Sequence, residues 1–119
     1  MEMFNPDSLA LPDAALAFAA LGSEPRLQVL ITLVRAGEGG LATGELAARS
    51  GISGSTLTHH LRALAQAGLV AQVKRGRSIV CSATFEQVQL LSSFLLSECC
   101  QDCQLAPHSE HAFEQAQGH

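Results

Sequence analysis

The spacing of apolar residues divides the chain into five helical segments and one pair of strands. Pro12 opens a short helix that runs to Leu21. In it Leu16, Ala19 and Ala20 lie near one another, and Ala14 and Ala15 keep the surface thin enough for close approach of a second helix. After Gly22, Ser23 is a natural cap, and Leu27, Leu30, Ile31 and Val34 fall at i, i+3, i+4 and i+7, the period of a helix with one buried face. Gly37, Gly39 and Gly40 stop it. Thr43 caps a third, short helix carrying Leu46 and Ala47, and Ser50-Gly51-Ile52-Ser53 follows as a tight turn. Ser53 caps a fourth helix ending at Gly68, whose Leu57, Leu61 and Leu64 form an apolar row. At about 100° per residue, Ser55, His59, Arg62 and Gln66 fall on the opposite side, with Thr56 and Thr58 on its flanks. Val70 to Lys74 and Ser78 to Ala83 read as strands around Arg75-Gly76-Arg77, where glycine supplies the positive φ of a hairpin bend. Thr84 caps a last long helix with a Val88, Leu91, Leu95 stripe, widened by Phe85, Leu90, Phe94 and Leu96. Apolar coverage that broad predicts burial against a partner as well as its own domain.

With 119 residues, 47% apolar and 15% charged, the chain has the means to bury one core. The pattern divides it into an N-terminal arm (1–11), one folded domain (12–103) and a polar tail (104–119) holding His108, His111 and His119. Its longest apolar stretch, Ala14 to Leu21, is far short of the roughly 20 residues of a membrane span, and no basic-then-apolar leader opens the sequence. A cytoplasmic protein is expected. The net charge of −4 argues against nucleic acid until its distribution is considered. Residues 41–80 hold Arg49, Arg62, Lys74, Arg75 and Arg77 against Glu45, a net +4, whereas the remaining 79 residues carry two bases and ten acids, a net −8. One segment attracts polyanions on a body that repels them.

A short helix, a glycine-containing turn and a second helix with a polar outer face make a helix-turn-helix, and the basic hairpin after it makes the winged variety. The expected fold is therefore mainly α with a small β-hairpin. Its second helix would offer hydrogen-bonding groups to base edges, and its hairpin mobile positive charge to phosphates. The candidate DNA contacts are Ser55, Thr56, Thr58, His59, Arg62, Lys74, Arg75 and Arg77, on double-stranded operator DNA. His60 sits on the inner edge of the helix and is assigned to packing. Cys81, isolated in the second strand, reads as a small buried hydrophobe. No nucleophile, base and orienter occur together and there is no glycine-rich phosphate loop, so an enzyme is not expected.

The run from Leu21-Gly22-Ser23-Glu24-Pro25-Arg26, through Ser55-Thr56-Leu57-Thr58-His59-His60-Leu61, to Gly68-Leu69-Val70 and Lys74-Arg75-Gly76-Arg77 resembles the ArsR/SmtB family of winged-helix repressors over roughly residues 12–103. The resemblance implies a homodimer built through the first and last helices, sitting on operator DNA and released by a metal or metalloid. Of the inducer sites the family uses, the cysteine pair ahead of the recognition helix is missing, since Glu45-Leu46-Ala47-Ala48-Arg49 lacks a thiol. The zinc-type site on the last helix is missing too, because residues 85–98 contain no histidine. Glu98-Cys99-Cys100-Gln101-Asp102-Cys103 resembles the variant with a cysteine cluster at the end of the last helix. If that helix persists to Cys103, the thiols of Cys99, Cys100 and Cys103 lie at about 0°, 100° and 40° around its axis, in one sector. Trivalent arsenic, as arsenite or methylarsenite, suits three soft thiolates. Zinc or another soft metal comes second, with His108 or His111 as a fourth ligand. The alternative is a thiol-disulfide redox protein or redox-sensing regulator using the same cysteines. A redox C-x-x-C normally opens a helix, and this one closes a helix, where the dipole opposes thiolate formation.

Overall fold

The computed structural model describes residues 9–99. Its elements run α1 (Leu11–Ala20), α2 (Glu24–Ala36), β1 (Leu41–Ala42), α3 (Thr43–Ser50), α4 (Gly54–Gln66), β2 (Val70–Arg75), β3 (Ser78–Ala83) and α5 (Phe85–Cys99). The strands form an antiparallel sheet of order β1-β3-β2. The fold is the expected winged helix-turn-helix, mainly helical, with one strand more than the sequence pattern revealed. Arg77 occupies the tight bend with Gly76, whose φ is 63°, and Arg75 pairs with Ser78 across it, so β2 extends one residue past the expected Lys74.

The extra strand explains how the hairpin is anchored. Leu41 and Ala42 pair with Cys81 and Val80, which makes β3 the central strand. The approach is tight: Gly40, at φ 71°, lies so near the Cys81 carbonyl that a Cβ there would collide with its oxygen. Thr43 stands inside α3 rather than capping it, and its hydroxyl donates to the Ile79 carbonyl at 3.1 Å. A residue expected to close a helix thus fastens that helix to the sheet.

The core gathers Val29 and Leu33 of α2, Leu46 of α3, Leu57, Leu61 and Leu64 of α4, and Leu69, Cys81 and Leu91. For α4 the expected row is the buried one. Ser53 takes the N-cap position of α4 with its backbone alone, since its side chain bonds no helix N–H. The helix ends at Gln66, in a Schellman motif: the Leu69 N–H donates to the Leu64 carbonyl at 2.9 Å and the Gly68 N–H to Ala65 at 3.0 Å.

The buried faces of α1 and α2 differ in part from the expected rows. Helix α1 buries Ala14, Ala17 and Ala20 and leaves Leu16, Phe18 and Ala19 outside, because only methyl-sized groups fit where it crosses its neighbours. Helix α2, capped by Ser23 as expected, buries Val29, Leu30, Thr32 and Leu33, while Leu27 and Val34 of the expected stripe are exposed. These exposed side chains, with Phe18, Ile31, Leu91 and Leu95, line an open apolar groove of about 460 Å³ between α1, α2 and α5. On α5, Leu91 is buried, whereas Leu95 and Leu96 are 57% and 68% exposed. No described helix is long and apolar enough to cross a membrane.

Candidate nucleic-acid interface

The turn between α3 and α4 is built locally. Gly51 adopts the left-handed conformation at the end of α3 and its N–H returns to the Ala47 carbonyl at 2.9 Å. The Ile52 N–H bonds the Ser50 hydroxyl at 3.2 Å, and the half-buried Ile52 side chain packs on the core. These contacts fix the angle at which α4 leaves α3. With Leu57, Leu61 and Leu64 turned inward, Ser55, Thr56, Thr58, His59, Arg62 and Gln66 are all exposed on one continuous face. The Thr58 hydroxyl donates back to the Gly54 carbonyl at 3.3 Å, which leaves its oxygen lone pairs outward as acceptors.

The charges of this region are not equivalent. Arg49 is spent on Glu45, one turn away at 2.9 Å. Arg62, Lys74, Arg75 and Arg77 have no acidic partner among the described residues. In the wing, Lys74 stands opposite Ile79 and Arg75 opposite Ser78, so the two cations leave the ribbon on opposite faces, with Arg77 in the bend between them. Four unpaired cations on α4 and the wing make a surface suited to phosphate.

Beside that face is a pair of which the sequence pattern assigned only His60, to packing. His60 is half-exposed, yet its Nδ1 is buried without a partner, as is the Nε of Arg26. Burial, then the Arg26 charge, then His59 hold the His60 imidazole below its ordinary pKa. Arg26 stood in the sequence only as part of the Glu24-Pro25-Arg26 run. Periodicity does not reveal a guanidinium folded inward.

Cys81 is fully buried and free, as expected. The Gln72 amide donates to its sulfur at 3.8 Å, and burial pushes the thiol pKa up, so it is poorly suited to nucleophilic or metal chemistry. Among the described residues, no three histidine, cysteine or acidic side chains gather as a metal site. Cys99 is the last residue of α5. Cys100 and Cys103 lie outside the described residues, as do His108, His111, most of the 1–11 arm and the whole 104–119 tail.

A tri-helical core with a polar second helix and a basic hairpin defines a winged helix-turn-helix DNA-binding protein. Residues 21–73 match the sequence profile of a helix-turn-helix domain family. Among solved structures, an ArsR-like transcriptional regulator from Rhodococcus sp. RHA1 is 33% identical, the match covering 69% of this chain and 74% of that one, with a TM-score of 0.60. NolR from Sinorhizobium fredii is 30% identical over 82% of this chain and 95% of its own, with a TM-score of 0.58. A homodimeric winged helix-turn-helix DNA-binding domain from Mycobacterium bovis, Mb0332, a possible ArsR-family regulator, shares the fold at 24% identity and a TM-score of 0.61, covering 92% and 86% of the two chains. No curated protein sequence matches the chain significantly. The chain belongs to the ArsR family of transcriptional regulators. It is a DNA-binding regulator rather than an enzyme.

Proposed function

We propose that the protein is a homodimeric repressor that grips operator DNA through α4 and the wing and lets go when a trivalent arsenical binds Cys99, Cys100 and Cys103. Arsenite and methylarsenite are the proposed inducers. The DNA contacts are Ser55, Thr56, Thr58, His59 and Arg62 in the major groove and Lys74, Arg75 and Arg77 on phosphates. The observation that carries the reading is an apolar surface with no occupant in a single chain. Leu11 and Leu16 of α1 are 69% and 52% exposed, and Leu95 and Leu96 of α5 are exposed as well. A second copy covering these helices sets two recognition helices about one turn of DNA apart, near 34 Å. The cysteine run starts at the last residue of α5, so a thiolate-bound metalloid there stiffens the end of the same helix that builds the dimer. A small change in its course alters the spacing of the recognition helices.

The test is to titrate the protein on a duplex that it selects from a randomised library with arsenite, methylarsenite, zinc, cadmium and a mild oxidant, following release. Release by the arsenicals, lost in Cys99→Ser and Cys100→Ser but kept in Cys81→Ser, is the expected pattern. Cys103→Ser that responds to methylarsenite and not to arsenite would show two thiolates serving the organic species and the third the inorganic one. Release by oxidant alone would instead support the redox-sensing reading of the same cysteines, and arsenical release in the triple serine variant would put the sensor elsewhere.

A further inference from the structure

Three of the four most exposed large apolar side chains among the described residues, Leu11 and Leu16 of α1 and Leu96 of α5, stand outside the groove between α1, α2 and α5. Of the four, only Leu95 lines it. The apolar surface therefore has two parts, a ridge suited to a second copy and a trough beside it. The trough has a packed base, because Leu30, Leu69 and Leu91, which line it, also belong to the buried core. Leu27 and Val34 of α2 and Leu95 of α5 remain exposed as its walls. Its volume of about 460 Å³ lies within the range of small-molecule pockets, about 300–1,000 Å³.

Two polar side chains interrupt this lining, and they differ in what they offer. Ser92 of α5 donates its hydroxyl to the Val88 carbonyl at 3.1 Å, so it has no proton left for a ligand. Arg35, in the last turn of α2, is exposed and has no acidic partner among the described residues. No described acid lines the trough. Leu27 and Arg35 lie on the same α2 wall, about 12 Å apart along the helix axis, so the cation marks one end of an elongated apolar site. A guanidinium is matched in shape and charge by a carboxylate, which it can hold through two parallel hydrogen bonds. A cationic or zwitterionic head would bring a positive charge that nothing in the lining balances.

The trough also lies between two helices with different tasks. Helix α2 packs on α3 and α4, the pair that forms the helix-turn-helix, whereas α5 carries Leu95 and Leu96 into the exposed apolar surface. A molecule lodged between α2 and α5 fixes their separation. We propose that the trough is an effector site for an apolar monocarboxylate, its hydrocarbon body along α2 and α5 and its carboxylate on Arg35. The binding site stands on the trough itself, while its effect on DNA rests on the dimeric, α4-reading regulator proposed above.

The test is calorimetric titration of the full-length protein with octanoate, and with 1-octanol and octylammonium as its uncharged and cationic counterparts. Octanoate should bind at about one site per chain and about tenfold more tightly than either counterpart, the worth of one charge-assisted hydrogen-bonded contact. Arg35→Met keeps an apolar stem at an exposed position and should bring octanoate down to the level of octanol. Val34→Phe fills the trough and should weaken both. Equal binding of the three probes, or octanoate binding unchanged in either variant, overturns the proposal. Sedimentation alongside identifies the competing occupant: if octanoate binds only by splitting a dimer, a second copy fills the trough and the proposal falls. Saturating octanoate should also change affinity for the library-selected duplex by about fivefold or more, with DNA changing octanoate affinity by the same factor. Binding without that change overturns the effector role. Arsenite is the reference. If it releases DNA and octanoate does not bind, only this proposal falls; if octanoate acts and arsenite does not, the cysteine reading falls and this one stands.

Discussion

Two exposed surfaces of this small domain differ in almost every physical respect. The face of α4 and the wing is polar and carries four cations without acidic partners, while the groove between α1, α2 and α5 is lined mainly by apolar side chains, with Arg35 as its one charged residue. The first suits a partner that stays hydrated, and its strength comes from counterion release. The second gains only by excluding water, at roughly 25 cal/mol per Å² of apolar area covered. Salt should therefore weaken what happens at one surface and barely touch the other, whereas a single buried charge should ruin the second and hardly matter at the first.

The sharpest way to break this contrast is Leu95→Glu. Leu95 is already 57% exposed, so the single chain should keep its fold. A carboxylate brought into an apolar contact without a partner costs about 3–5 kcal/mol. Sedimentation should show monomers, and affinity for the selected duplex should fall by more than 100-fold. A monomeric wild type, or a dimeric variant, would detach the apolar surface from assembly. Next in size are Arg75→Ala and Arg77→Ala. Each should lower affinity for all sequences alike and reduce the slope of log affinity against log salt by about one. An unchanged slope would remove the wing from the interface. His59→Ala and Thr58→Ala, by contrast, should relax sequence preference.

A smaller effect is expected from pH. His60 has its folded pKa lowered below the ordinary 6.5 by burial first, then by Arg26 and His59. Between those two values the unfolded chain holds a proton that the folded chain does not, so stability is complete above pH 6.5, falls as pH drops through it, and levels off below the folded value. Denaturant midpoints measured across that window should lose this part of their pH dependence in His60→Gln. The smallest effect belongs to Glu45→Gln. Breaking an exposed i,i+4 pair costs at most about 0.5 kcal/mol in stability, but it frees Arg49 as a further cation beside α4. DNA affinity should rise slightly and the salt slope steepen; no change would mean that Arg49 points away from the duplex.

The polar face of α4 could be read from sequence because only one of its faces is apolar, so the i, i+4, i+7 row had a single interpretation. Helix α2 is different. Leu27, Val29, Leu30, Ile31, Leu33 and Val34 surround it, and two overlapping rows have the helical period. Which row meets the core is decided by the helices and strands around it, not by the spacing. In α1 the small residues announced a close approach, but which alanines make it, Ala14, Ala17 and Ala20, depends on the neighbours it crosses. Strand β1 is two residues long and has no period to detect. The Arg26–His60 pair escaped for another reason, since a buried unpartnered donor is defined by what surrounds it. The cysteine run, conversely, is legible in the sequence and lies almost wholly beyond the described residues.

Strand β1 pairs with β3 only as far as Val80 and Cys81. Past that point the wing is a two-stranded ribbon of Lys74 with Ile79 and Arg75 with Ser78, closed by Gly76 and Arg77. A ribbon of two strands twists far more readily than a sheet of three. The hairpin thus behaves as a short spring clamped at its base, with its charges on the compliant end and its clamp bolted to α3 through Thr43. Such a tip can follow a groove that is locally narrow or wide at little elastic cost, so in the proposed complex base sequence would be free to vary beneath the wing without forcing α4 to shift.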